Sequence, residues 1–170
     1  MNNAGIIGPT APVPDIQRDA WDEVMAINLT GAFRCSKYLL PAMIERRSGK
    51  VINIASAVGK IGYPLRSAYA VSKWGLIGLT LSLAKEVGQY NIQVNAVCPG
   101  PVAGERMRAV IEQRAAELGS SFQEVEQTYL DTTVLGRMIK ADEVAAMVAF
   151  LASSEAVTGE AIEVSGGYTL

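Results

Sequence analysis

Short β-branched runs alternate with longer helical stretches along this chain, and this alternation restricts its fold more than any other feature. It is typical of a parallel β-sheet with helices on its faces. Apolar runs bounded by small or turn-forming residues predict three strands, at about residues 50–56, 92–98 and 161–164. Residues 2–5 form a stub: they are small or polar residues of the kind that directly follows a strand. We therefore expect an α/β fold with a doubly wound parallel sheet of about three strands and a stub.

Apolar residues recur at helical spacing in the segments between the predicted strands, which indicates helices there. Two long helices are predicted at about residues 15–46 and 66–89, and in the second of them Gly75 and Gly78 would permit close packing. Asp15 is the expected N-cap of the first helix. One stripe of that helix is apolar except for one amide, and it comprises Trp21, Val24, Met25, Asn28 and Ala32.

The last third of the chain continues the pattern. Residues 105–131 predict two amphipathic helices broken at residues 119–121, and residues 141–152 predict a final helix. Pro99 and Gly100 end the second strand, because proline lacks the donor that the ladder needs and glycine frees the turn. In an open parallel sheet, ligands bind beyond the carboxyl ends of the strands, so the residues that follow each strand are the first candidates for a site.

Composition limits the classes of function. The chain has 170 residues and a net charge of −2, with acids and bases interspersed, so we expect neither a nucleic-acid partner nor a membrane partner. No apolar run approaches a membrane span and the first residues do not resemble a signal peptide, so we expect a cytoplasmic protein.

The inventory of ionisable residues narrows the chemistry further. The absence of histidine excludes a Ser-His-Asp hydrolase and a His-ligated metal centre. Cys35 and Cys98 have no spacing typical of a disulfide framework or a metal site, and we expect both to be buried thiols. The sequence thus predicts no metal, and acid-base chemistry must come from Tyr, Lys, Asp, Glu or Cys.

Tyr69 and Lys73 lie four residues apart at the start of the second long helix, so their side chains share one face. A free phenol titrates near pH 10, and a neighbouring ammonium favours the phenolate form. Such a tyrosine can exchange a proton with a carbonyl or alcohol oxygen while Ser56, at the end of the first strand, hydrogen-bonds the same oxygen. This set predicts general acid-base catalysis.

Each of these residues also has a structural interpretation. A Tyr-x-x-x-Lys pair by itself more often belongs to a solvated or half-buried helix face. Ser56 could simply end a strand, and Asn28 could cap a kink near Gly31. The functional interpretation depends on the residues occurring together.

Taken together, in chain order, these segments resemble the short-chain dehydrogenase/reductase family, and the resemblance extends over essentially the whole chain. The segments that carry it are Asn2-Asn3-Ala4-Gly5, Asn28, residues 49–56, Tyr69-Ala70-Val71-Ser72-Lys73, residues 92–100 and residues 158–167. The resemblance implies a Rossmann-like fold and an oxidoreductase that uses NAD or NADP to interconvert a secondary alcohol and a ketone.

The same resemblance implies roles for four catalytic residues. Tyr69 would be the proton donor or acceptor, and Lys73 would favour its phenolate and hydrogen-bond the nicotinamide ribose. Ser56 would orient the substrate oxygen, and Asn28 would hold a water in the proton relay.

Further residues are implied as surroundings of the cofactor and the substrate. The helices of residues 105–131 would form a lid over the substrate, and the long helices 15–46 and 66–89 would pair copies of the chain into a homo-oligomer. Beside Tyr69 and Lys73, the cofactor would contact Asn3, Ala4, Gly5, Pro99, Gly100 and Val102.

The chain also departs from the family pattern. No glycine-rich turn of the kind that holds the cofactor pyrophosphate precedes Asn2. We therefore expect residues 1–170 to form one partial Rossmann-like domain, the catalytic and substrate half without the nucleotide-binding half, as either a fragment or a natural truncation. Such a chain is expected to bind a dinucleotide poorly by itself. After Gly100, Val102 stands near the position where family members often place a threonine that contacts the nicotinamide.

Two functions remain open from the sequence. The first is an NAD- or NADP-dependent oxidoreductase acting on a small alcohol or ketone. The alternative is a truncated homologue that has lost catalysis and serves as an oligomeric interaction subunit. The residues select neither the substrate nor one of the two cofactors.

Overall fold

The computed structural model describes residues 1–169 and contains a parallel sheet with β2 at its centre. The strands are β1 (Gly49–Ile54), β2 (Ile92–Pro99) and β3 (Ala161–Val164). β1 and β3 each pair in parallel with β2. The three predicted strands are confirmed to within two residues at each end.

The stub before the first helix lies along the outer edge of β1. The backbone N–H of Asn2 donates to Ile52 O at 2.8 Å, and Ile54 N–H donates to Asn2 O at 2.9 Å. The side-chain amide of Asn2 also donates to Asn53 Oδ1 at 2.8 Å. The segment that follows Asn2 therefore leaves the sheet at the carboxyl end of β1, where a ligand site is expected.

Helices cover both faces of the sheet, as predicted. The α-helices are α1 (Arg18–Met25), α2 (Gly31–Glu45), α3 (Ser67–Val87), α4 (Glu105–Leu118), α5 (Phe122–Asp131) and α6 (Ala141–Ser153). Side chains from α2 and α3, such as Leu40 and Leu83, pack on Val51 and Val94 of one face. On the other face, Leu151 of α6 packs against the side chains that alternate with these along the strands.

The first predicted long helix is interrupted. α1 and α2 are joined by a π-helical turn, Ala26–Thr30, and the apolar stripe buries Val24, Asn28 and Ala32. The prediction that Asp15 caps this helix is wrong, because Asp15 ends a separate 3₁₀ turn, Val13–Asp15, that follows a proline. The chain is extended at Gln17, and α1 begins only at the next residue.

Two smaller sequence expectations also need correction. Gly75 does lie against a neighbour, since a Cβ there would come within 2.8 Å of Leu29 Cδ2, but a Cβ on Gly78 would meet nothing within 4 Å. Cys98 is buried in the centre of the sheet, whereas Cys35 is exposed on α2. Helical periodicity assigns a residue to a face only approximately, and Cys35 lies beyond the buried stripe.

Within residues 1–169, none of the helices combines the length and the apolar character that a membrane crossing requires.

Candidate active site

A cleft of about 720 Å³ opens beside the carboxyl ends of the strands. Ser56 follows β1, and Pro99 and Gly100 follow β2, as the parallel topology requires. The amino-terminal turn and the first turns of α3, α4 and α6 form other parts of the wall. The cleft is large enough for a small ligand together with part of a cofactor.

Tyr69 and Lys73 lie in the first two turns of α3 and both line this cleft. Lys73 Nζ lies 5.7 Å from the centroid of the Tyr69 ring. The same ammonium donates to Ile54 O at 2.8 Å, which fixes the lysine against the end of β1. An ammonium carries three donors, so two remain for a ligand.

Burial makes the Lys73 charge costly. Its side chain is 4% exposed, and desolvation, followed by the charge of Arg106, lowers the pKa of Lys73 from 10.5 to about 8. Nearby Cys98 acts in the opposite sense on that lysine, while its own pKa is raised to about 11, chiefly by burial. Lys73 is therefore protonated at neutral pH, but loses its charge under mildly alkaline conditions.

Ser56 lies just after the end of β1, and it is buried. Its Oγ accepts the backbone N–H of Val58 at 3.2 Å and so caps the short 3₁₀ turn Ala57–Lys60. Ser56 thus caps the turn and also lines the cleft, a position that is compatible with both interpretations. Within residues 1–169 its hydroxyl hydrogen has no acceptor, so it is available to a substrate oxygen.

Asn28 lies in the π-helical turn beneath the cleft. Its amide donates to Ile6 O at 2.9 Å and Ser72 Oγ at 2.9 Å, and its Oδ1 accepts Ile6 N–H at 2.8 Å. The asparagine thus joins the amino-terminal segment to α3. A carbonyl oxygen has two lone pairs, so Oδ1 can accept one more hydrogen bond.

Of the amino-terminal residues expected around the cofactor, two line the cleft and one does not. Asn3 and Gly5 line the cleft, whereas Ala4 is exposed and does not. A Cβ on Gly5 would come within 3.2 Å of Asn28 Oδ1 and 3.4 Å of Lys73 Nζ. Glycine therefore lets this turn lie close to Lys73.

The turn after β2 packs closely against Ser165, which follows β3. Pro99, Gly100 and Val102 all line the cleft. A Cβ on Gly100 would lie 2.8 Å from the Cα and the carbonyl oxygen of Ser165, so no side chain fits there. Ala103 N–H donates to Ile139 O at 2.8 Å, which ties the loop that carries Val102 to the segment before α6.

The two helices predicted as a lid pack on each other through a small apolar cluster that includes Ile111 and Val125. The first turn of α4 and Tyr129 of α5 line the cleft. Their position agrees with the expected lid, and a closing movement stays a prediction.

Sequence reasoning missed a polar group at this end of the cleft. Tyr63 and Tyr129 line the wall with their hydroxyls 3.1 Å apart, and Arg114 Nη1 lies 3.4 Å from each oxygen. Burial and the neighbouring Tyr129 raise the pKa of Tyr63, which keeps its phenol neutral.

Arg66, three residues before Tyr69, also lines the cleft and is 2% exposed. In the sequence, the only local indication that Arg66 belongs to this region was its position three residues before Tyr69.

Comparisons with known proteins agree with this geometry. Residues 1–169 match the family model described as enoyl-(acyl carrier protein) reductase. The chain is 39% identical over its whole length to 3-oxoacyl-[acyl-carrier-protein] reductase of Thermotoga maritima, and it spans 65% of that protein. The chain spans about 65% of the length of the curated relatives that it matches.

Two solved structures are similar over 98% of the chain. One is an actinorhodin polyketide ketoreductase with NADPH, 37% identical with a TM-score of 0.92, of which the chain covers 65%. The other is an NAD⁺-bound xylitol dehydrogenase, 34% identical with a TM-score of 0.93, of which it covers 66%. The similarity thus includes the sheet, the cleft and the helices around them.

Proposed function

Because the chain belongs to the short-chain dehydrogenase/reductase family, we propose that it carries the chemistry of an NAD- or NADP-dependent oxidoreductase that interconverts a secondary alcohol and a ketone. One observation carries the proposal: Ser56 and Tyr69 line one cleft, with the Lys73 ammonium 5.7 Å from the phenol ring. These groups supply a proton carrier, a hydrogen-bond donor for the substrate oxygen and a positive charge.

The residues present fit the nicotinamide end of such a cofactor. Two unused donors on Lys73 can bind ribose hydroxyls, and Gly5 leaves the approach to that ammonium open. When bound, the nicotinamide supplies or accepts the hydride. Similar structures contain NADPH in one protein and NAD⁺ in another, so we propose either cofactor without a preference.

The chain's own residues would move the proton. In the reducing direction, the Tyr69 hydroxyl donates its proton to the carbonyl oxygen, and Ser56 donates a hydrogen bond to the same oxygen. Lys73 stabilises the phenolate that Tyr69 then becomes, because the opposite charge is buried nearby. In the oxidising direction the phenolate removes the alcohol proton.

Asn28 is proposed to hold a water that replaces this proton. Its amide is already fixed by Ile6 and Ser72, so the remaining lone pair of Oδ1 has a defined direction. Gly5 and Lys73 lie next to that oxygen. A water there would be close to the ammonium and could relay a proton from solvent.

The Ser56→Ala variant tests the electrostatic part of this proposal. Loss of one donor to the reacting oxygen should lower kcat by about 100-fold or more, while the affinity for NADH or NADPH stays unchanged. Absorbance of the reduced nicotinamide measures turnover, and calorimetric titration measures cofactor binding. The matched control is Ser82→Ala, on the exposed side of α3. Equal loss in both variants would contradict the proposed role of Ser56.

The same measurements separate the two functions that the sequence leaves open. Proteins should be expressed from the complete reading frame and assayed with secondary alcohols and ketones. Binding and turnover of a nicotinamide cofactor support the oxidoreductase. A folded oligomer that binds neither NADH nor NADPH would support the interaction subunit.

Association of copies through the two long helices is proposed as well, within a cytoplasmic enzyme. Exposed apolar side chains occur on both helices, and these are Phe33, Tyr38, Leu39, Val71, Trp74 and Leu81. We expect Leu39→Glu to shift the protein to a smaller species in sedimentation equilibrium, since burying the new charge is unfavourable. Leu135→Glu is the control, because Leu135 is 59% exposed, as against 58% for Leu39, but lies outside these helices. An unchanged mass for Leu39→Glu would argue against this interface.

A further inference from the structure

Arg66 has a buried charge without a partner. Its side chain is 2% exposed, and within residues 1–169 its Nε and Nη2 atoms are buried without a hydrogen-bond partner. No ion pair involving Arg66 occurs among these residues either. A guanidinium removed from water is strongly unfavourable unless an anion or several acceptors compensate it.

The unsatisfied groups gather in two adjacent segments. Within residues 1–169, the other buried side-chain nitrogen or oxygen atoms without a partner are the hydroxyl oxygens of Thr10 and Ser67. Ser67 follows Arg66, and the segment of Thr10 adjoins it because Ala11 N–H donates to Leu65 O at 2.9 Å. Buried groups without partners thus occur in adjacent segments, and of these three residues only Arg66 lines the cleft, where its guanidinium is a donor suited to an anion.

The backbone holds Arg66 at this place. Leu65 has φ of +65°, a left-handed conformation that is uncommon for a leucine. α3 begins directly after Arg66, whose carbonyl accepts Ala70 N–H at 3.0 Å. The guanidinium is therefore attached to the same rigid helix start as Tyr69.

The cleft has an excess of positive charge. Arg66, Lys73 and Arg106 line it, against one carboxylate, that of Glu105; Arg106 and Glu105 are both exposed, whereas Arg66 and Lys73 are buried. Lys73 donates to Ile54 O and takes part in the proposed reaction, whereas the buried Nε and Nη2 donors of Arg66 have no partner among residues 1–169. Arg66 is thus a residue of the cleft lining, three residues from Tyr69, and its buried guanidinium is not used by the proposed reaction.

We propose that the substrate carries an anionic group, a carboxylate, phosphate or sulfonate, which pairs with Arg66 while the reacting carbon lies at Tyr69. This inference rests on the proposed function, since it names the substrate class of the same site. Arg66 is then a specificity-determining residue. Its planar fork can form two parallel hydrogen bonds to such a group.

Matched pairs of keto acids and their methyl esters test the proposal. The probes are acetoacetate, 4-oxopentanoate and 5-oxohexanoate, each compared with its ester in kcat/KM. We expect the acid to be preferred at one chain length, and Arg66→Met to lower the acid-to-ester ratio by about 10- to 100-fold, the usual range for hydrogen bonds to charged groups. Arg66→Lys should lower the ratio less, because it keeps the charge but not the fork.

The control is Arg34→Met, which removes the same charge from an exposed position on α2 and should leave the ratio as it is. An unchanged ratio in Arg66→Met would overturn the proposal. It would also be overturned if Arg66→Met raised the KM of NADH or NADPH instead, because the anion would then belong to the cofactor.

Thermal unfolding in sodium sulfate, against sodium chloride at equal ionic strength, gives a readout that does not need turnover. A ligand that binds only the folded state raises Tm. Because sulfate stabilises folded proteins in general, it should raise Tm of both proteins, but by more in the wild type than in Arg66→Met, whose Tm without sulfate should equal or exceed that of the wild type. An equal sulfate effect in both proteins would contradict the site. If sulfate acts through Arg66 but no ketone is reduced, the anion site stands and the proposed function fails.

Discussion

Replacing Tyr69 with phenylalanine is expected to lower nicotinamide-linked turnover by about 10²- to 10⁴-fold, the usual contribution of general acid-base catalysis. The phenylalanine ring keeps the shape of the cleft wall but has no proton to exchange. Within residues 1–169 the Tyr69 hydroxyl makes no hydrogen bond, so its removal should cost little stability. Steady-state rates in both reaction directions measure the effect.

The control for this prediction is Tyr90→Phe, which removes the same hydroxyl from a residue outside the cleft, in the 3₁₀ turn Gly88–Tyr90 that follows α3. It should leave the rates unchanged. Calorimetric titration of Tyr69→Phe should show only a small loss of affinity for the cofactor, because Lys73 remains in place to bind it. Full activity of Tyr69→Phe would end the proposed mechanism.

Lys73→Met is expected to have an effect on turnover of similar size. The unbranched methionine fills much of the same space, but it removes both the charge beside the Tyr69 ring and the donors for the cofactor. Cofactor affinity should therefore fall together with kcat, unlike the result for Tyr69→Phe. The control is Lys85→Met, at an exposed position of the same helix. Wild-type cofactor affinity in Lys73→Met would contradict the second role.

The same variant should change how stability depends on pH. The pKa of Lys73 is about 8 in the folded protein and 10.5 for an unperturbed lysine. Between these values the unfolded state binds more protons, so the free energy of unfolding rises with pH in this window. The difference corresponds to about 3 kcal/mol, and the cost of the buried charge is present in full below pH 8.

Urea denaturation from pH 7 to pH 11 measures this dependence. Cys98, whose pKa is raised to about 11, titrates in the same range, so the informative quantity is the difference between wild type and Lys73→Met. We expect the wild-type protein to gain stability relative to the variant as the pH rises from 8 to 10.5. A constant difference across this range would show that Lys73 has an ordinary pKa in the folded chain.

Much of the fold could be predicted because its signals are local. The runs that form β1, β2 and β3 are β-branched and end at small residues or at Pro99-Gly100, and all three strands occur where the sequence placed them. The break between α4 and α5 at residues 119–121 is also local, since Gly119 adopts φ of +65° and Ser121 caps the next helix.

Other predictions failed where local signals competed. Asp15 has the side chain of an N-cap, but the backbone around it forms a 3₁₀ turn, so the helix starts later. Gly75 and Gly78 look equivalent in the sequence, yet only Gly75 has a neighbour, Leu29, within contact distance of a Cβ. Such differences depend on which distant segment packs against a helix face.

The sequence by itself determined the α/β architecture and placed Ser56, Tyr69 and Lys73 as a set, because strand ends and the i, i+4 spacing are properties of short segments. Only the tertiary structure decided that Asn28 would be bound by residues 22 and 44 positions away. Only the tertiary structure, too, decided that Arg66 would be buried beside the cleft without a partner among residues 1–169. Burial and charge compensation arise from the packing of segments far apart in the chain, which no short pattern of residues records.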